Sequence, residues 1–143
     1  MKRIILLITT IIIVAILIFS YNYIQYENKQ ADVMKFNKIF LDFNRNNLYG
    51  TDITTVMNKA VDNNEQYKIK KDESGLYIPD ELFSIKIYII LEKEGSNFPM
   101  ENFYKVGIKE FTKYFGELNF ECIKVNYHES GRISEMFFQA TNY

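Results

Sequence analysis

The one cysteine and the one histidine of the chain, Cys122 and His128, lie six residues apart in a stretch that alternates like a β-strand. A thiol beside an imidazole would make a nucleophile and its general base. On a regular strand the two share a face, but six residues of extended chain hold them about 20 Å apart, far beyond hydrogen-bond reach. No Cys-His dyad is expected here. Cys122 stands among Phe120, Ile123 and Val125, which predicts a buried, inert thiol. His128, Glu129 and Ser130 are catalytic residue types, yet they fall in a predicted hairpin loop, where polar residues belong in any case.

Asp42-x-Asn44-x-Asn46 spaces three oxygen ligands like the start of a calcium loop. The glycine such a loop needs is replaced by Asn47, and its bidentate glutamate by Ile53. The remaining charge is too small to hold calcium. The chain has no phosphate-binding loop, dinucleotide glycine motif, HExxH or GxSxG. No catalytic, metal or cofactor residue is assigned from the sequence, and no cofactor is expected. Lys68, Lys70 and Lys71 read as charges guarding a strand edge.

The stretch YGTDITTVMNKAVDNNE, residues 49–65, looks most like a signature. Thr51 or Asp52 can cap a helix by accepting the free backbone N–H groups of its first turn. Ile53, Val56, Met57, Ala60 and Val61 then form one apolar face, and Asn63 and Asn64 stop the helix. A binding function, if this stretch has one, belongs on its polar face. Asn58 and Lys59 are the candidate partner surface.

These residues need elements to position them. The first is apolar: Ile4 to Phe19 reads IILLITTIIIVAILIF. Extended to Ile24 it makes about 31 Å of helix, enough to cross a bilayer. Insertion is favoured by roughly 4–6 kcal/mol. Tyr21, Tyr23 and Tyr26 come next, where an interfacial aromatic belt would sit. A cleaved signal peptide would need a small-x-small site, and Ile18-Phe19-Ser20-Tyr21 offers none, so an uncleaved anchor is expected. Lys2 and Arg3 favour a cytoplasmic N-terminus and a domain outside, although Lys29, Lys35 and Lys38 on the other flank weaken the bias.

Beyond the anchor, Val33, Phe36, Phe40 and Phe43 make an amphipathic helix over 27–47, ended by Gly50. A short strand is predicted at Tyr67–Ile69, a short extended piece at Leu76–Ile78 that stops at Pro79, and a clear strand at Ser84–Glu92. Glu94-Gly95-Ser96 turns the chain. Pro99 starts a helix whose stripe runs from Met100 to Phe115, closed by Gly116. Strands 119–127 and 132–139 end the chain, joined by His128-Glu129-Ser130-Gly131. The expected fold is α+β: a transmembrane helix running into an amphipathic one, then a small, mostly antiparallel sheet with helices on one face. The expected domains are an anchor, 1–25, and an extracytoplasmic α+β domain, 26–143.

The charges nearly cancel, 17 basic against 18 acidic, and setting Lys2 and Arg3 aside leaves a net −3. No nucleic-acid partner is expected from that balance. Hydrophobic residues make up 48% of the chain, too many for a disordered tail. With one cysteine no internal disulfide forms. Several strands carry apolar residues on both parities, as at Tyr88 and Ile90 beside Ile87 and at Met136 and Phe138 beside Phe137, which suggests that the second sheet face meets a partner.

The segments NLYGTDITTVMNKAVDNNE, SIKIYI and FPMENFYKVGIKEFTKYFGELNFECIKVNYHESGRI, behind a leading anchor, resemble a set of small single-pass membrane proteins of low-GC Gram-positive bacteria. The resemblance covers most of the chain and implies no activity. The architecture is also similar to that of type IV pilins, but MKRIILLITT lacks their leader glycine and glutamate. The expected function is a non-catalytic interaction or structural module of the cell envelope. It would bind the bilayer through residues 4–24, and either another envelope protein or a second copy of itself. Two alternatives are a small-ligand or peptide sensor, with a pocket between helix Met100–Phe115 and the sheet, and an enzyme whose site carries no known motif.

Overall fold

A computed structural model describes residues 2–92 and 95–141, in two compact units, Met1–Lys35 and Phe36–Tyr143. The first unit is helical from Lys2 onward, as part of α1 (Lys2–Leu41). This helix is long and apolar enough to cross a membrane. Its large hydrophobic side chains from Ile4 to Ile24 are all exposed. The hydroxyls of Thr9 and Thr10 donate to the carbonyls of Ile5 and Leu6, each at 2.9 Å, so both hydroxyl protons are satisfied within the helix.

The second unit begins with the last turns of α1, where Phe36 and Phe40 enter its core. The helix stops at Leu41, short of the expected Asn47. Phe43 and Asn44 donate back only three residues, to Phe40 and Leu41, which tightens the chain. Asn47 then takes φ +59°, a left-handed turn that asparagine tolerates. Leu48–Tyr49 are thereby freed to form a strand that no local pattern predicts, β1. Gly50 does not end the first helix; it opens α2 (Gly50–Gln66). Nor is the cap Thr51 or Asp52. Tyr49 occupies that position, and Asp52 Oδ2 accepts its N–H at 2.9 Å. Ile53, Val56, Met57 and Ala60 are fully buried, as the period requires.

The predicted strand Tyr67–Ile69 does not form. Tyr67 N–H still donates to Asn63 O at 3.0 Å, and Lys68 turns left-handed at φ +54°. The chain next makes a small loop closed by one bridge, Lys71 to Tyr77, with Gly75 at φ +78° in its turn. The extended piece Leu76–Ile78 carries that bridge at Tyr77. The expected Ser84–Glu92 strand is β2 (Lys86–Ile90), and after it comes the short β3 (Phe98–Pro99). Of the turn between them, Glu94 lies outside the described residues. The single helix expected over Met100–Phe115 is two, α3 (Met100–Val106) and α4 (Ile108–Phe115). Gly107 between them sits at φ +107°, where an L side chain is strained. Strands β4 (Asn119–Tyr127) and β5 (Ile133–Ala140) complete the chain, and Gly131 in their loop has φ +83°.

The sheet order is β1-β4-β5-β2-β3. All pairs are antiparallel except β2 with β5, which run parallel. The class is α+β with a mixed sheet. Ile87, Ile89, Met136, Phe138 and Phe120 lie in the core with α2, α3 and α4. Register shifts fall between Cys122 and Lys124 and between Asn126 and Tyr127. They break the parity that would have put Cys122 and His128 on one face. Cys122 is half-buried rather than buried, opposite Phe138. Burial pushes its thiol up.

The loop before β2 is held by side chains. Asp80 Oδ1 accepts three backbone N–H groups, from Leu82 at 3.1 Å, Phe83 at 2.7 Å and Ser84 at 2.6 Å. Burial pushes the Asp80 carboxyl up, but the N–H groups of Ser84, Phe83 and Leu82 outweigh it and hold the carboxyl below its ordinary 3.8. The stabilisation is therefore complete above that value and lost as the pH falls below it. Asp80→Ala should cost about 1–2 kcal/mol at neutral pH. Between about pH 4 and 2 the gap between Asp80→Ala and the parent should narrow. Urea unfolding across that range, on a fragment starting at Tyr26, measures both effects. A constant gap would show that the charge of Asp80 is not what holds the loop.

Candidate functional site

Three elements of the second unit line a half-open cavity of ≈ 410 Å³. Helix α2 supplies Val61 and Glu65, and the 71–77 loop supplies Lys71, Gly75 and Tyr77. Helix α3 completes it with Glu101, Tyr104 and Lys105. The expected pocket lay between one long helix and the sheet. Gly107 splits that helix, α3 contributes to the lining together with α2 and the loop, and the sheet contributes no lining residue.

Glu101 is the centre of the site. It stands in the first turn of α3, where a carboxylate is favoured by the helix dipole. It is only 4% exposed. Its Oε1 accepts the N–H of Tyr77 at 2.9 Å, which ties the loop to α3. Its Oε2 is buried and receives no donor from the protein. Tyr77 is 2% exposed, and its Oη is also buried and unpartnered. The Lys71 ammonium rides 4.5 Å from the centroid of the Tyr77 ring. Burial raises the Tyr77 hydroxyl above its ordinary value and Lys71 pulls it only partly back, so it is a neutral phenol at physiological pH. Two unsatisfied polar atoms on neighbouring buried side chains cost about 1–3 kcal/mol each, more for a carboxylate. Both oxygens can accept a further hydrogen bond.

The rim is polar. Lys105 donates from Nζ to Ser74 O, and the Tyr104 hydroxyl donates to Asn58 Oδ1. Burial, then the charge of Asp62, pushes the Tyr104 hydroxyl up to about 12, which keeps it a donor. Asn58 therefore stands beside the cavity through Tyr104. Lys59 is exposed and lies outside the lining. Sequence reasoning missed Glu101, Tyr77 and Tyr104. An acidic residue behind Pro-Met and a tyrosine in an irregular loop carry no local sign of a shared site.

Two other places bring reactive or aromatic side chains together. On the sheet face away from the helices, Tyr88 and Phe137 stack at 4.7 Å, with the Lys124 ammonium 5.4 Å from the Phe137 ring. This face is partly apolar, with Tyr88 and Phe137 half-buried on it. Arg132 in the β4–β5 loop lies 4.7 Å from the Phe83 ring, 5.1 Å from Phe36 and 5.8 Å from Tyr67. His128 Nε2 lies 2.7 Å from Ser84 O. Both residues tie the hairpin loop to its neighbours, a structural task. Among the described residues, no three of His, Cys, Asp and Glu converge to hold a metal ion.

Comparison with protein-family models, with curated proteins and with solved structures finds no match to this chain.

Proposed function

We propose that the chain is a single-pass membrane protein whose C-terminal unit is a non-catalytic interaction module of the cell envelope. Residues 4–24 lie in the bilayer, the N-terminus is cytoplasmic and residues 26–143 are outside. The observation that carries this reading is α1, whose apolar side chains from Ile4 to Ile24 are all exposed and can be covered only by lipid or protein. Lys2 and Arg3 support the orientation. The partner is another envelope protein or a second copy of the chain. Asn58 and Lys59 on α2 are the candidate surface, both exposed. A second reading, a sensor of a small ligand, is favoured by the cavity around Glu101.

Full-length protein should stay with the membrane after carbonate washing, at its unprocessed mass. Protease added to cells stripped of their wall should digest the C-terminal unit and leave a protected fragment holding residues 4–24. A soluble species beginning near residue 21 would make the segment a cleaved signal. Digestion only after lysis would reverse the orientation.

A further inference from the structure

We propose that the cavity between α2, the 71–77 loop and α3 binds a small zwitterion of the α-amino acid type, its ammonium on Glu101 and Tyr77 and its carboxylate between Lys71 and Lys105. This rests on the sensor reading and names its ligand.

A carboxylate oxygen is a hydrogen-bond acceptor, and Glu101 Oε2 is a buried one without a donor. An ammonium supplies one, with charge-assisted hydrogen bonds roughly twice as strong as neutral ones. The neutral Tyr77 Oη, buried in the same lining, accepts a second ammonium proton. A bare cation would suit Glu101 but would meet Lys71 and Lys105 in the same cavity. Among the described residues neither lysine is in a salt bridge; the pair that forms is Lys113 with Glu110. Lys71 is held by Tyr77, over its ring and against its hydroxyl, and Lys105 by a backbone carbonyl. Both ammonium groups can take a carboxylate without giving up a carboxylate they already hold. With Glu65 the lining carries two charges of each sign, which matches a ligand carrying one of each. Val61 and the Tyr104 ring provide an apolar wall for a side chain. A volume of ≈ 410 Å³ lies in the range of small-molecule sites and is far below what a folded partner needs.

The test is titration calorimetry on the full chain in detergent micelles. The probes are glycine, L-leucine, L-glutamate and L-lysine, each up to about 10 mM. At least one should bind. For L-leucine, two truncated forms separate the contacts: N-acetyl-L-leucine lacks the ammonium, and 3-methylbutylamine lacks the carboxylate. Each should bind about tenfold or more weakly than the parent. Glu101→Gln should weaken the parent by about tenfold or more. Tyr77→Phe, which keeps the ring and its packing, should weaken it severalfold if Glu101→Gln fails to fold by circular dichroism. If a truncated form binds as well as its parent, the zwitterion proposal falls and the sensor reading stands. The same holds if only truncated forms bind. If no probe binds to folded protein, both fall.

Discussion

Asn64→Ala should destabilise the domain by about 4 kcal/mol, more than a typical core truncation of the same size. Asn64 is fully buried at the end of α2. Its Nδ2 donates to Ile85 O at 2.8 Å and its Oδ1 accepts Ile85 N–H at 2.9 Å. One amide thus satisfies both backbone groups of a residue that is itself fully buried, as a neighbouring strand would. Asn63 beside it donates to Phe83 O at 2.8 Å and to Asn64 Oδ1 at 3.3 Å. Removing the Asn64 amide leaves a donor and an acceptor unpaired, each worth about 1–3 kcal/mol, and loosens the start of β2. Urea unfolding of a fragment beginning at Tyr26, which keeps the whole core, measures the effect. Asn64→Asp restores the acceptor but loses the donor and buries a charge, so it should not rescue stability. A cost under about 1 kcal/mol for Asn64→Ala would show that water can replace the amide.

Asn63 and Asn64 mark the limit of what a local pattern can say. Their type suits the end of a helix, and α2 does end two residues later. What no local pattern carries is that both amides turn inward, because their partners lie about twenty residues on, in the loop before β2. The long apolar helix, the apolar face of α2 and strands β4 and β5 were legible because each is written in a local period: continuous, 3.6 or 2. The failures came where a few residues choose between local options by tertiary contact. Asn47 and Lys68 turn left-handed and shift two element boundaries. Gly107 splits a helix whose stripe runs through it unbroken. The parallel pairing of β2 with β5 is a matter of topology, invisible in either strand alone. For the cavity the same limit holds. Asn58 stood out on its polar face, but Tyr104, to which it is bonded, is 46 residues away. Glu101 and Tyr77 are 24 residues apart, with nothing in either neighbourhood to join them.

Gly50→Ala should cost about 3 kcal/mol, although alanine is the better helix former. Glycine in the body of a helix is worth roughly 0.5–1 kcal/mol less than alanine, so at an unconstrained position the change would be neutral or favourable. Gly50 does not use a positive φ, so its conformational freedom is not the reason for it. The reason is space. A Cβ there would lie 1.8 Å from Phe115 O, 2.5 Å from Phe115 C and 2.9 Å from the Gly116 Cα. These are all backbone atoms, so no side chain can swing aside. The contact is also held from both sides. Gly50 N–H donates to Leu118 O at 3.0 Å, and Thr54 Oγ1 lies 3.1 Å from Gly50 O and 3.0 Å from Thr112 Oγ1. The start of α2 and the end of α4 thus meet backbone to backbone. Alanine would force them apart and strip the bond to Leu118. The loss should extend to β1, because Leu48 and Tyr49 pair with Phe120 and Asn119 just beyond that contact. In urea the midpoint should fall with little change in slope, since the folded state is strained and the exposed surface on unfolding is the same. Equal or higher stability for Gly50→Ala would mean that α2 and α4 can separate freely, and Gly50 would then be only the break between two elements that its place in the sequence first suggested.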